Sequence, residues 1–153
     1  MQLTSLAFSD GGEIPRRHTQ DGADLSPPLR WRDVPPGTES LALIVDDPDA
    51  PDPAAPKRTF VHWVVTNVPP NVSALDEGTK TTGGIVGKND YDHADWDGPK
   101  PPIGRHRYVF KLYALDTRLE LPEVTKTAVE RAMEGHVLAQ ATLVGTYARS
   151  ARA

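Results

Sequence analysis

Between Leu41 and Asn67 the chain changes character twice, and both changes restrict what it can fold into. Leu41-Ala42-Leu43-Ile44-Val45 is a continuous apolar run that breaks at once into Asp46-Asp47-Pro48-Asp49-Ala50-Pro51. Apolar residues ended abruptly by acid and proline read as a buried strand that surfaces into a shaped loop. Prolines at 48, 51, 53 and 56 stiffen the expected loop over 46–58, so Asp47 and Asp49 have little freedom left to lose on binding. Asp and Pro also simply make turns, so the loop alone decides nothing. Phe60-Val61-His62-Trp63-Val64-Val65-Thr66-Asn67 then reads as a second strand, rich in β-branched and aromatic residues. Strict alternation predicts Phe60, His62, Val64 and Thr66 on one face and Val61, Trp63, Val65 and Asn67 on the other. A lone histidine in such a strand is most often a hydrogen-bonded core residue. An acid cluster at the mouth of one buried strand beside a histidine in the next is the pattern of a polar site set into an apolar sheet.

The remainder supplies a frame for that pair. Residues 1–10 read as a first strand turned by Asp10-Gly11-Gly12, and Ser26-Pro27-Pro28-Leu29-Arg30-Trp31 as an extended segment with Trp31 as a core anchor. Residues 76–104 show little periodicity, and their acids at 90, 92, 95 and 97 invite a calcium reading. The EF-hand template fails there, with Asp95 where glycine belongs and Pro101 where the glutamate belongs, so a solvated acidic loop is expected. From Arg105 to Asp116 runs the clearest strand of the second half, with His106, Tyr108, Phe110, Leu112 and Ala114 sharing a face. Thr127-Ala128-Val129-Glu130 fits a capping box that starts a helix ending near Gly135, and period-two spacing from Ala139 to Tyr147 marks a final strand.

With 153 residues and no linker or repeat, the chain is expected to form one domain over 1–153. It has no cysteine, which excludes disulfide and thiolate chemistry. The net charge of −4 shows no basic block, which argues against a nucleic-acid partner. The N-terminus lacks the basic and apolar regions of a signal peptide, and no apolar stretch is long enough to span a bilayer. Together these place the expected protein in the cytoplasm, without integral membrane contact.

At this point the motifs become specific. Asp47-Pro48-Asp49-Ala50-Pro51, Phe60-Val61-His62-Trp63 and the segment from Gly98 through Pro102-Ile103-Gly104-Arg105-His106-Arg107-Tyr108 resemble the phosphatidylethanolamine-binding protein family, nearest its bacterial Raf-kinase-inhibitor-like branch. Asn89-Asp90, Lys111 to Asp116 and Gly135 to Tyr147 extend the likeness over nearly the whole chain. The resemblance implies a mainly β fold, in which a large antiparallel Greek-key sheet packs with a smaller one beside one or two short helices. It implies a small preformed pocket for phosphate, acetate or phosphorylethanolamine-like groups, built here from Asp47, Ala50, His62, Gly98, His106 and Tyr108, with Phe60 as aromatic neighbour. It further implies a homodimer, no cofactor, and a regulatory role toward a kinase or a protease. Asp95-Trp96-Asp97 is bulkier than the family's glycine-containing segment, and the eukaryotic members' helix after the last strand has no counterpart, which implies an open mouth or one completed by another subunit.

Chemically, two imidazoles and a phenol offer donors to phosphate oxygens, and Asp47 suits the orientation of a histidine ring rather than contact with an anion. Anion binding is accordingly expected to tighten below about pH 6.5. A hydrolase or a metal-dependent enzyme using the Asp, His, His and Tyr cluster is the alternative, set lower because no nucleophile elbow, cofactor motif or histidine pair accompanies it. An interaction protein with a vestigial pocket is the third reading.

Overall fold

The apolar run becomes the middle of a strand walled in on every side. In the computed structural model, which describes residues 1–149, β3 (Ser40–Ala50) lies between β4 (Arg58–Val68) and β7 (His106–Leu115), antiparallel to both. β6 (Ile85–Val86) and β8 (Val137–Tyr147) complete a sheet of order β6-β4-β3-β7-β8. β7 returns across a long connection to lie beside β3, a Greek-key return. A smaller antiparallel sheet, of order β1-β2-β5, is formed by β1 (Gln2–Thr4), β2 (Leu29–Arg32) and β5 (Ala74–Leu75).

Both faces of the large sheet are covered, which is why β3 is apolar without interruption. Leu41, Leu43 and Val45 face the small sheet and join Leu3, Leu29, Trp31, Trp63, Phe110 and Leu112 in the main core. Ala42 and Ile44 face the other way, against Val129 and Met133 of α1 (Lys126–Met133) and against Leu119. Trp31 is the anchor its sequence suggests, its indole N–H donating to the Val72 carbonyl at 2.9 Å.

Several boundaries differ from expectation, each for a local reason. The first strand ends at Thr4, because the Ser5 hydroxyl accepts the Ala7 N–H at 3.0 Å and turns the chain, leaving Leu6 74% exposed. The helix begins at Lys126, two residues early, because Thr125 is the cap and its hydroxyl accepts from Ala128 N at 3.2 Å. Most consequential is β3, which does not end at Val45. It runs on through the acid cluster to Ala50, and the connecting loop starts only at Pro51. A register shift between Asp47 and Ala50 lets Pro48 sit where no ladder N–H is required. Asp46, Asp47 and Asp49 are buried, and each is partnered. Lys111 and Lys126 both reach Asp46 at 2.8 Å, while Asp49 accepts from the backbone and guanidinium of Arg107 at 2.8–3.0 Å.

Candidate ligand-binding site

Beyond Val45 the pairing of β3 with β4 slips by one residue. Val45 stands opposite Trp63, but Asp46 stands opposite Val61, so His62 is the extra residue of a β-bulge. Alternation is broken there: His62 lines a cavity while its neighbour Trp63 belongs to the main core, and Val64 turns instead to the helix side with Val61. The bulge frees backbone groups, and the acidic loop captures them. Asp90 accepts Val61 N at 2.7 Å and gives its own N–H to Val61 O at 2.9 Å, while Asn89 Nδ2 and Asp97 N both reach His62 O at 3.3 Å. The loop is therefore tied to β4 rather than simply solvated, with Trp96 buried against Trp63 and Phe110.

That attachment fixes the state of His62. Its Nδ1 lies 2.6 Å from Asp97 O, an acceptor only, so Nδ1 carries the proton and Nε2 is left with a lone pair and no partner among the described residues. Burial holds its pKa below the ordinary histidine value, against the pull of Asp97, Asp47 and Asp46. His106 is the opposite case. Its Nδ1 meets Asp47 Oδ2 at 2.6 Å and its Nε2 meets Ile103 O at 2.8 Å and Pro51 O at 3.1 Å. Every one of these neighbours is an acceptor, so both ring nitrogens donate and the ring forms a buried ion pair with Asp47. The expected Asp47 contact with a histidine is present, but it consumes His106: that ring has no donor left for a ligand.

Tyr108 sits between the two histidines, edge-on to His62 at 5.3 Å and stacked with His106 at 6.4 Å. It is 1% exposed and its hydroxyl has no hydrogen-bond partner among the described residues. Burial and the nearby Asp47 charge push its pKa upward, so the phenol is a protonated donor. An orphaned buried hydroxyl costs about 1–3 kcal/mol, which asks for an explanation.

Asp47, His62, His106 and Tyr108 form the buried end of a cavity of about 420 Å³. Ala50, Pro51, Phe60, Tyr91, Pro101 and Pro102 make its walls, and Lys57, Arg58 and Lys100 stand exposed at its rim. Of the residues expected from sequence, Asp47, Ala50, Phe60, His62, His106 and Tyr108 line the cavity, whereas Gly98 does not. A Cβ at Gly98 would lie 2.4 Å from His18 O and 2.5 Å from an Asp24 carboxylate oxygen. The glycine admits a neighbouring chain segment, not a ligand. The rim cations and Tyr91 escaped the sequence reading, although Lys57 directly precedes and Arg58 begins the strand that carries Phe60 and His62, which was a usable signal. Lys80, Lys88, Lys111 and Lys126 each pair with a carboxylate; among the described residues Lys57 and Lys100 do not. Arg58 is bound to Asp90 at 3.0 Å and lies over the Phe60 ring.

Comparison with known proteins gives consistent results. The profile of the phosphatidylethanolamine-binding protein family matches residues 4–148. The chain is 48% identical to the UPF0098 protein of Methanothermobacter thermautotrophicus, over 97% of this chain and 99% of that one. It is 46% identical to the UPF0098 protein of Chlamydia muridarum, over 96% and 98%. Among solved structures, a phosphatidylethanolamine-binding protein homologue of Chlamydia trachomatis superposes with a TM-score of 0.91 at 43% identity, covering 97% of each chain. YbcL of E. coli, described as a member of the mammalian family, gives 0.85 at 32% identity over 97% of this chain and 98% of that one.

Proposed function

Since the chain belongs to the phosphatidylethanolamine-binding protein family, we propose that its cavity binds, without catalysis, a small oxyanion such as a phosphate group and the organic group attached to it. The observation that carries this reading is the unpartnered Tyr108 hydroxyl at the buried end of a cavity whose rim holds the unpaired Lys57 and Lys100. In a protein of net charge −4, two lysines with no ion-pair partner among the described residues at one opening make a local field suited to an anion. The cavity is larger than a phosphate alone needs, falling within the roughly 300–1,000 Å³ typical of small-molecule sites. Its walls of Phe60, Tyr91 and prolines suit the organic remainder.

Phosphate could arrive free or on a lipid head group, and calorimetry separates the two. Inorganic phosphate, O-phosphorylethanolamine and phosphatidylethanolamine vesicles are titrated in turn into the wild-type protein. Saturable binding of the first two, weakened in Tyr108→Phe, supports the reading; vesicle binding adds the lipid as a source. Among the described residues no helix is long and apolar enough to cross a membrane. Heat from none of the three ligands would sink the proposal. On this reading an occupied pocket is also the state that a kinase or protease partner would sense.

A further inference from the structure

The polar atoms at the buried end set a condition on the ligand that the rim does not. Asp47 Oδ1 is taken by Asp49 N at 2.7 Å and its Oδ2 by His106. His106 has both nitrogens engaged, and His62 has spent its proton on Asp97 O. Among the described residues of that buried end, what remains open is one donor, the Tyr108 hydroxyl, and one acceptor, His62 Nε2. A fully ionised phosphate carries lone pairs only. It would satisfy Tyr108 but set a lone pair against that of Nε2, in a place where water is largely excluded.

Resting on the oxyanion reading above, we infer that the cavity takes its anion together with one proton, held between a ligand oxygen and His62 Nε2. A phosphate monoester is then bound as its protonated monoanion, the P–OH donating to His62 and an unprotonated oxygen accepting from Tyr108. When the free ligand is a dianion, that proton comes from solvent.

The groups facing His62 permit this arrangement. Asp46 and Asp47 from β3 and Asp97 from the 89–97 loop favour an added proton, while Tyr91 and Tyr108 are neutral and the Asp47 charge is already matched by His106. Lys57, Lys100 and Arg58 at the rim oppose a proton but favour the anion that brings it. Burial, which keeps the empty ring neutral, agrees with the same picture.

The second ionisation of a phosphate monoester lies near pH 6, so at pH 7.5 most of the free ligand is dianionic. Isothermal titration of the wild-type protein with methyl phosphate at pH 7.5, in two buffers of different ionisation enthalpy, counts protons directly. Uptake of about one proton per ligand is expected, with affinity falling about tenfold from pH 7 to pH 8. Methyl sulfate, which carries no proton in this range, should bind more weakly than methyl phosphate at pH 7.5. Saturable binding of methyl phosphate with uptake near zero, and affinity flat or rising from pH 7 to pH 8, overturns the inference while leaving the oxyanion site standing. No binding of methyl phosphate or inorganic phosphate at pH 5.5 or 7.5 overturns the oxyanion site, and the inference falls with it.

Discussion

At the scale of single residues, two side chains of the cavity behave oppositely on substitution, because one is satisfied and the other is not. Tyr108→Phe removes only an orphaned hydroxyl, so thermal stability should stay level or rise while phosphate affinity falls about tenfold, near the strength of one hydrogen bond to a charged group. A clear loss of stability would mean that the hydroxyl has a structural partner. Asp47→Asn should instead cost about 3 kcal/mol or more, read from the urea midpoint, because it leaves the buried His106 charge unmatched. A third outcome concerns pH. Burial depresses the pKa of both His62 and His18 in the folded protein. Unfolded, each takes up a proton near pH 6.5, so the stability tied to their neutral forms is complete above that pH and is lost as pH falls through the folded values. Urea unfolding should therefore show a lower free energy at pH 5.5 than at pH 7.5, with a smaller drop in His18→Gln; higher stability at pH 5.5 contradicts the assignment. Residue types and spacing were enough to pair Asp47 with a histidine, but not to say which one. Nothing in Val61-His62-Trp63 reveals that His62 gives its proton to a carbonyl 35 residues away.

Individual elements show where pattern reading works and where it breaks. The Leu41–Val45 run and the His106–Ala114 alternation were legible because the first pairs with β7 and the second with β8 without a register break, each with a buried face. The Phe60–Asn67 alternation looked equally clean but fails past His62, since the bulge changes the face of Trp63, Val64 and Val65 relative to Phe60 without changing the sequence pattern. Asp46 to Ala50 looked like a turn because acids and proline usually make one, yet cations on neighbouring elements hold these acids inside a strand. The loop over 89–97 is likewise more structured than its charge suggests. Asn89 is its hub, its amide reaching His62 O, Asp95 O and Asp97 Oδ2 while its Oδ1 accepts from Tyr91 N and His93 N. Asn89→Ala should raise amide exchange from 89 to 97 at least tenfold and loosen His62, with β7 and β8 protected as before. Uniform loss of protection across the large sheet would show that Asn89 supports the whole fold instead.

For the molecule as a whole, the two-sheet architecture was foreshadowed by motifs in the right order, and most of the residues those motifs named meet at one cavity, whereas the rim was not foreshadowed, because lysines in proline-rich loops carry no periodicity. The rim is where overall charge matters. Lys57→Glu combined with Lys100→Glu should weaken phosphate binding by more than tenfold and leave the melting temperature nearly unchanged, as both side chains are exposed and unpaired. Unaltered affinity would remove the rim from the account. The most direct test of the central claim follows the ¹⁵N resonances of both histidine rings during titration with O-phosphorylethanolamine at pH 7. The expected result is a free His62 that is neutral and protonated at Nδ1, whose Nε2 signal moves toward the protonated position on binding while His106 stays doubly protonated throughout. A ligand-induced change at His106 with His62 unmoved, or no change at either ring, would contradict it.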